Sequence, residues 1–384
     1  MSDYIPDQLL VNVLLRLPFD SLIRSRCVSK SWRSLIDGPH FIKMYNESHL
    51  ETNYDHNDTK IVALIEEKSS PVSGSRSRDF YSLDMNRLFS SSTTNAKKLN
   101  FPADSFRDDI RLVGSCNGLL CLVHRNWNIF IWNPWTQKYW KIPPPPYGNA
   151  IGHSQVQIRL GFGYDNVRDD YKVLAFKNGW NCMQNLTPTI TLCSNKVYVY
   201  SSKLNLWKDI GDFPFQQATM FPDPMDGILA NGALHWVGGL NFIFAFDLCS
   251  DKFRSMRCPF WEDRFLPKLC ILNGVLCLLS DYEFWNQRFA DIFLMEDYGA
   301  HESCWTKLGS IRIPFGKWIT PIALSKNKKQ VVLQISKATL VLYDLETNSF
   351  NDVAMSGAAS SIDSPISLTS CVCVGSLASL FWQA

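Results

Sequence analysis

The sequence predicts an α+β protein in two parts: a module of three short helices, then a large all-β domain built from repeats. In the first 36 residues, apolar side chains recur at helical spacing and are interrupted by Pro18 and Ser29. After about residue 60, short apolar and aromatic runs bounded by turn residues replace that spacing. Five of these runs share one pattern, which is typical of a repeat architecture.

Composition describes a folded protein and argues against two classes of partner. Of the 384 residues, 46% are apolar and 19% are charged, which is enough for a sizeable core in two units. The net charge of +2 is too small to favour nucleic acid or an anionic membrane surface. No apolar run reaches membrane-spanning length. We therefore expect neither nucleic acid nor a membrane as partner.

The twelve cysteines are scattered from Cys27 to Cys373 and include no CxxC pair. The chain opens without the basic start and apolar stretch of a secretory signal peptide. We therefore expect reduced, mostly buried thiols and a location in the cytosol, the nucleus or both.

Proline, serine and glycine divide the N-terminal module into helices. Pro6 suits the first turn of a helix, and Pro18 ends it. Asp20 is the predicted N-cap of a second helix and Ser29 that of a third, which Gly38–Pro39 ends. So small a unit cannot bury all of its apolar side chains within itself.

The surplus apolar surface of this module has three interpretations. It can mark an interaction site, or it can pack on the rest of the chain. A DNA-reading helix-turn-helix is the weakest, because Leu22 and Ile23 would occupy faces that should present polar groups to the bases.

Residues 5–42, IPDQLLVNVLLRLPFDSLIRSRCVSKSWRSLIDGPHFI, resemble an F-box. The landmarks are Ile5–Pro6, Leu17–Pro18, the run 26–30 (RCVSK) and Trp32. In that family an apolar face binds the Skp-type adaptor of a cullin–RING ubiquitin ligase. Carried over by position, the resemblance implies that the candidate adaptor contacts are Ile5, Pro6, Leu9, Leu14, Leu17, Pro18, Leu22, Cys27, Val28 and Trp32. The sequence leaves open which of them face the adaptor and which face the module's own core.

The rest of the chain repeats a strand, a polar turn and an aromatic residue that opens the next strand. The five segments are IFIWNPWTQKYW (129–140), VYVYSSKLNLW (197–207), IFAFDLCSDKF (243–253), IFLMEDYGAHESCW (292–305) and LVLYDLETNSF (340–350). Asn-Gly pairs in CNGLLCLV, ANGALHWV and LNGVLCLL predict tight hairpins. DFYSLDMNRLF (79–89) is a possible sixth unit with a weak closing strand.

Repeated strand units of this kind favour a β-propeller, in which each unit covers its neighbour and the ring leaves few open edges. Three of the four intervals between closing aromatic residues are roughly 45–50 residues, the period of propeller blades. Five to seven blades fit the spacing, and a β-sandwich or barrel is the competing architecture. We expect Trp140, Trp207, Trp305 and Phe350 to fill the core between blades.

LGFGYDNVRDDYKVLAF (160–176), ANGALHWV, AFDLCSDKFRSM and GAHESCWTKL resemble the kelch-like F-box-associated domain of plant F-box proteins. With this resemblance the predicted organisation is an F-box at 1–48, a linker at 49–60 and a kelch-like propeller at 61–384.

No catalytic, metal or cofactor site is predicted. GSCNG (114–118) places Cys116 where a nucleophile could lie, but a strand follows it instead of a helix, so a hairpin turn is favoured. GFGYDN (161–166) lacks the third glycine of a dinucleotide site. The histidines form no HxH or HxxxH pair, and His235 is interpreted as a hydrogen-bonded core residue.

The two resemblances together imply a substrate receptor of an SCF-type ubiquitin ligase, whose β-domain binds an unknown target protein through rim loops. The candidate target-binding residues are Trp180, Tyr282, Phe284 and Trp285. Two alternatives remain open. One is a binding role, either as a non-degradative protein- or carbohydrate-binding F-box protein or as a pollen self-incompatibility-type F-box protein, and the other is a propeller enzyme with a docking domain.

Overall fold

The N-terminal module is helical, as the apolar spacing predicts. The computed structural model describes residues 7–50, 59–68, 76–91, 93–102, 110–124, 127–147, 157–178, 196–215, 226–238, 242–259, 267–298, 305–336, 339–356 and 367–378. Its helices are α1 (Asp7–Leu14), α2 (Phe19–Ser25), α3 (Lys30–Ile36), α4 (Pro39–Leu50) and, within the β-domain, α5 (Met85–Ser90).

Proline and serine set the boundaries of these helices. Pro18 occupies the N-cap position of α2, whereas Asp20, the predicted cap, lies in the first turn. Ser29 caps α3 as predicted, because its Oγ accepts a hydrogen bond from the Trp32 backbone N–H at 3.1 Å. Pro39 follows the end of α3 but then begins α4, where its missing N–H would have had no helical partner. The module therefore has four helices in its described part, one more than predicted.

The β-domain consists of six sheets, which we number as blades. Blade 1 contains β1 (Thr59–Lys68), β2 (Arg76–Asp84), β3 (Thr93–Leu99), β24 (Ala354–Ser356) and β25 (Ser367–Val374). Blade 2 contains β4 (Ile110–Cys116), β5 (Leu119–His124), β6 (Ile129–Trp132) and β7 (Tyr139–Ile142). Blade 3 contains β8 (Gln157–Asp165), β9 (Asp170–Asn178), β10 (Lys196–Ser201) and β11 (Leu206–Asp212).

The remaining three blades have the same four-stranded antiparallel plan. Blade 4 contains β12 (Ile228–Ala230), β13 (Ala233–Gly238), β14 (Phe242–Asp247) and β15 (Lys252–Arg257). Blade 5 contains β16 (Lys268–Leu272), β17 (Val275–Phe284), β18 (Gln287–Met295) and β19 (Trp305–Ile313). Blade 6 contains β20 (Ile319–Leu324), β21 (Gln330–Ile335), β22 (Thr339–Asp344) and β23 (Ser349–Asp352).

The six blades form a closed ring. Strands β4, β8, β12, β16, β20 and β25 contact one another in that circular order, so each is the innermost strand of its blade. β25 comes from the end of the described chain and pairs antiparallel with β1, from Thr59–Val374 to Glu66–Ser367. The ring is therefore closed by hydrogen bonds between the two ends of the domain. This is the predicted propeller with six blades, and it excludes the competing sandwich.

The Asn-Gly pairs form the predicted hairpins between the first and second strands of blades 2, 4 and 5. Their φ angles are 49° and 76° at Asn117–Gly118, 46° and 71° at Asn231–Gly232, and 49° and 80° at Asn273–Gly274. Positive φ at both central residues is the geometry of a type I′ turn, for which Asn-Gly is the preferred pair.

The five repeated segments form the third and fourth strands of blades 2 to 6. In three of them an Asn or Asp side chain closes the turn. Asn133, Asp247 and Asp344 accept hydrogen bonds from backbone N–H groups two or three residues later, at 2.7–3.0 Å. The polar turn of each of these three segments is thus an Asx turn that joins two antiparallel strands.

The closing aromatic residues are less buried than predicted. Trp140, Trp207, Trp305 and Phe350 are only half-buried and pack at the margins of the apolar clusters. The reason is their position on the fourth strand of each blade, which is the outermost and has no further strand beyond it.

The segment DFYSLDMNRLF departs from the predicted strand–turn–strand pattern. β2 ends at Asp84, whose Oδ1 accepts hydrogen bonds from the backbone N–H groups of Asn86 and Arg87 at 3.0 and 3.3 Å. This cap starts α5, so a helix stands where the weak closing strand was expected. The segment still belongs to a blade, because β2 is a central strand of blade 1.

The glycines of GFGYDN serve the packing of blade 3 against blade 4. A Cβ at Gly161 would lie 2.7 Å from Leu234 Cδ1, and one at Gly163 would lie 2.5 Å from Leu248 Cδ1. Only glycine permits this close approach, so the motif has a structural explanation and needs no phosphate.

His235 is a core residue, as predicted. Its Nδ1 is 3.1 Å from the Ile228 carbonyl oxygen, which can only accept, so Nδ1 carries the proton. Nε2 therefore accepts from the Tyr298 hydroxyl at 2.6 Å. Burial, assisted by the charge of Arg254, lowers the pKa of His235 to about 4.

We expect His235 to make the domain sensitive to mild acid. Below pH 6.5 the unfolded chain binds a proton at this imidazole, whereas the folded chain does not until about pH 4. Stability is therefore lost as the pH falls, by about 2 kcal/mol between pH 7 and 5 from this residue alone. Urea unfolding of the wild type and of His235→Gln at pH 7 and pH 5 measures this loss of unfolding free energy. An equal loss in the two proteins would contradict the assignment.

Candidate functional site

The topology of the blades defines two faces of the ring. In an antiparallel blade, the turns between first and second strands and between third and fourth strands lie on one face, here called the lower face. The turns between second and third strands, and the connections between blades, lie on the other, here called the upper face. The candidate binding residues divide between the helical module on the lower face and turns on the upper face.

The helical module is fixed to the lower face through α2. Phe19 is 1% exposed and meets Trp135, in the lower turn of blade 2, edge to face with ring centroids 6.0 Å apart. Asp20 Oδ2 is 2.9 Å from Lys60 Nζ at the start of β1. Leu377, just beyond β25, lies in the module's own apolar cluster. Part of the module's surplus apolar surface is therefore covered by the rest of the chain.

Residues 375–378, which follow β25, form the surface on which the helical module packs. Asn133 Nδ2 donates hydrogen bonds to the carbonyls of Ser376 and Ala378 at 2.9 and 3.0 Å, and Trp135 Nε1 donates to the Val374 carbonyl at 3.1 Å. Gly375 lies directly against the Phe19 ring. The chain that closes the ring thus also supports the helical module.

Part of the module's apolar surface remains uncovered. Leu9 is 56% exposed, Val13 58% and Val28 63%, and Cys27 beside Val28 is also exposed. Leu9 and Val13 are four residues apart on α1 and so share one helix face. We call these four residues the docking face. The only member missed by the sequence interpretation is Val13, although its spacing from Leu9 would have indicated it.

The other predicted adaptor contacts fall into three groups. Pro18 is exposed, while Leu17 and Trp32 are half-buried at the margin of the module's core. Ile5 and Pro6 lie outside the described residues.

Leu14 and Leu22 are corrected by the structure, because both are fully buried. They pack with Phe19, Ile36 and other residues of the module's own cluster, so they present no surface to a partner. The apolar stripe of α1 is broad, and its inner edge faces the neighbouring helices while Leu9 and Val13 on its outer edge face away.

The upper face carries exposed aromatic side chains at blade 5. Phe284 is 60% exposed and Trp285 85%, both at the turn between β17 and β18. Phe315, 100% exposed, and Trp318, 65% exposed, lie in the connection from blade 5 to blade 6. We call these four residues the aromatic tip. The sequence interpretation missed Phe315 and Trp318, because they lie in a connection between repeats.

Two further predicted target-binding residues stand apart from the aromatic tip. Tyr282 is half-buried and stacks on Phe289 across the hairpin, with centroids 5.6 Å apart, so it stiffens the two strands. Trp180 lies outside the described residues.

The cysteine thiols around the first hairpin of blade 2 are buried. Burial raises the pKa of the Cys116 and Cys121 thiols far above their usual range. Cys116 ends β4 before the Asn-Gly turn, as the hairpin interpretation predicts. In the part of the chain that the structure describes, no group of three or more His, Cys, Asp or Glu side chains could hold a metal ion. No helix there is long and apolar enough to cross a membrane.

Two family models match the chain in agreement with this architecture. The F-box domain matches residues 3–44, and the F-box associated beta propeller domain matches residues 72–380. Together they cover the helical module and nearly all of the ring. The chain therefore belongs to the F-box proteins that carry an F-box associated β-propeller domain.

Curated relatives from Arabidopsis thaliana share this organisation over nearly their whole length. F-box protein CPR1 is 29% identical over 97% of this chain and 90% of its own. An F-box/kelch-repeat protein is 27% identical over 90% of this chain and 89% of its own. Among solved structures, an oligogalacturonate lyase in complex with manganese has a TM-score of 0.41 at 11% identity, covering 73% of this chain and 72% of that chain. That similarity is too low to indicate function.

We expect Gly375→Ala to loosen the helical module from the ring. The new Cβ would lie 2.3 Å from Phe19 Cδ1, so the Phe19 side chain must shift. We expect this overpacking to cost about 1–3 kcal/mol. Limited proteolysis should then release the module faster than in the wild type.

Gly114→Ala is the matched control, because a Cβ at that position has no atom within 4 Å. If Gly375→Ala and Gly114→Ala were cleaved at the same rate as the wild type, the assignment of residues 375–378 as the packing surface of the module would be wrong.

Proposed function

We propose that this chain is the substrate receptor of an SCF-type ubiquitin ligase. The observation that carries the proposal is the docking face, a set of exposed apolar side chains on a module that is fixed to the propeller through other residues. An apolar patch of this kind on an F-box is the expected contact for a Skp-type adaptor. Through the adaptor the chain would join a cullin–RING ligase.

The propeller would supply the second contact, with a target protein. Its upper face lies on the side of the ring opposite the helical module, so adaptor and target can be bound at the same time. Rigid strands hold the upper turns in place, and such turns commonly carry recognition residues. The aromatic tip is therefore the proposed target site.

In this role the chain performs no bond chemistry. Holding a target lysine near the ubiquitin thioester makes the transfer effectively intramolecular, which raises the local concentration of the attacking amine. Degradation of the target would follow from its ubiquitination. The nine described cysteines form no disulfide, which supports a reducing compartment, the cytosol or the nucleus.

We expect Leu9→Asp to abolish binding of a Skp-type adaptor. Leu9 is 56% exposed in the free chain, so the carboxylate should not disturb folding. In a complex, however, it would be buried without a partner, at a cost of roughly 2–5 kcal/mol or at least about a 30-fold loss of affinity. Co-purification and titration calorimetry with the adaptor measure this.

Val167→Asp is the matched control, because Val167 is an equally apolar side chain, 77% exposed at the β8–β9 turn of blade 3 and not a member of the docking face. Adaptor binding by the control but not by Leu9→Asp supports the proposal. Failure of the wild type to bind, or equal binding by Leu9→Asp, would contradict it. A point variant is preferable to removal of the module, because removal would uncover Trp135 and Leu377.

A further inference from the structure

The turn between β17 and β18 is unusual for the residue it places at its tip. Trp285 and Asn286 have φ angles of 51° and 56°, the left-handed pair of a type I′ turn. The three I′ turns between first and second strands use Asn-Gly, which suits that conformation. A tryptophan is disfavoured there, and at 85% exposure Trp285 gains little packing in return. Trp285 therefore destabilises the turn locally, which indicates a role in binding and not in folding.

A second exposed aromatic side chain stands beside this turn. Lys317 N–H donates to the Pro314 carbonyl at 3.0 Å, and Gly316 has a φ of 69°, so Phe315 is held at the apex of a tight turn. Arg288 pairs with Ile313 across the β18–β19 ladder. The next residues, Gln287 and Pro314, therefore lie side by side, and Phe315 is level with the Trp285–Asn286 turn.

Trp318 completes the aromatic tip and is oriented by a cation. The Arg288 guanidinium lies 4.1 Å from the centroid of the Trp318 ring and also pairs with Asp281. The ring is thus supported on one face while the side chain remains 65% exposed. A preorganised ring of this kind loses little conformational entropy when it binds a partner.

The charges around the aromatic tip are mainly positive. Arg312 and Lys317 are exposed and form no ion pair with any residue that the structure describes. Glu283 is the nearby acid, and it lies directly across the ladder from Arg288. Among the described residues of this strand end and connection, Arg312 and Lys317 thus add two cations and Glu283 adds one carboxylate, since Asp281 is paired with Arg288.

We propose that the aromatic tip binds a short acidic peptide segment that carries an apolar or aromatic side chain. The rings would cover the apolar side chain, and Arg312 and Lys317 would pair with the flanking carboxylates. The inference deepens the proposed function, on which it rests, because the segment would be the recognition element of the ligase target. The unpaired cations favour carboxylates over a neutral sugar.

The test uses a random 16-residue peptide library displayed on phage and selected on the full-length chain. We expect enriched sequences to combine Trp, Phe or Leu with neighbouring Asp or Glu. Fluorescein-labelled synthetic copies should bind more weakly as salt is raised.

Trp285→Asn is the decisive variant, since asparagine favours the left-handed conformation and should raise the melting temperature or leave it unchanged. We expect the affinity for the enriched peptides to fall about tenfold or more. Lys317→Glu should lower it as well. Val167→Asn, at an exposed turn of the lower face, should bind like the wild type.

Three results would overturn the inference: no enrichment, enriched peptides without acidic residues, or peptide affinity unchanged in Trp285→Asn. Adaptor binding, measured on the same proteins, separates this inference from the proposed function. If the chain binds the adaptor but no peptide, only the peptide site is refuted. If it binds the peptides but not the adaptor, the ligase role is refuted and the aromatic tip remains a binding surface.

Discussion

The pairing of β25 with β1 is the interaction on which the rest of the structure depends. It joins the end of the described chain to the first strand of the ring, so all six blades gain a neighbour on both sides. The same segment continues into residues 375–378, which carry Leu377 into the core of the helical module. Closure of the ring and attachment of the module are therefore one structural event, and loss of β25 would remove both.

This arrangement gives the two surfaces a fixed relation. Phe19 of α2 packs against Trp135 in the lower turn of blade 2, and the residues of the docking face remain exposed. The aromatic tip projects from the upper side at blade 5. A receptor that must present a target at a defined distance from a ligase benefits from such rigidity, because effective concentration falls when the geometry is loose. In the proposed role the propeller would act as a spacer as well as a binding domain.

Much of the fold could be predicted because local chemistry sets it. Asn-Gly pairs require I′ turns, and Asx residues mark the outer hairpins, so five blades were visible in the sequence. The first blade was not, since its strands come from both ends of the domain and Asp84 starts a helix where a strand was expected. Spacing also could not separate Leu9, which is exposed, from Leu14, which is buried, because that depends on how α1 packs against the neighbouring helices. Phe315 lay outside every repeat.

The central claim is that one chain binds adaptor and target at the same time and thereby directs ubiquitin transfer. The most direct measurement is reconstituted ubiquitination of a lysine-bearing reporter fused to a peptide selected on the upper face, with adaptor, cullin and RING subunits present. With the wild-type chain we expect ubiquitinated reporter. We expect none with a variant of the docking face, and none with a separate variant of the aromatic tip. A reporter that is bound in the full complex yet remains unmodified would contradict it.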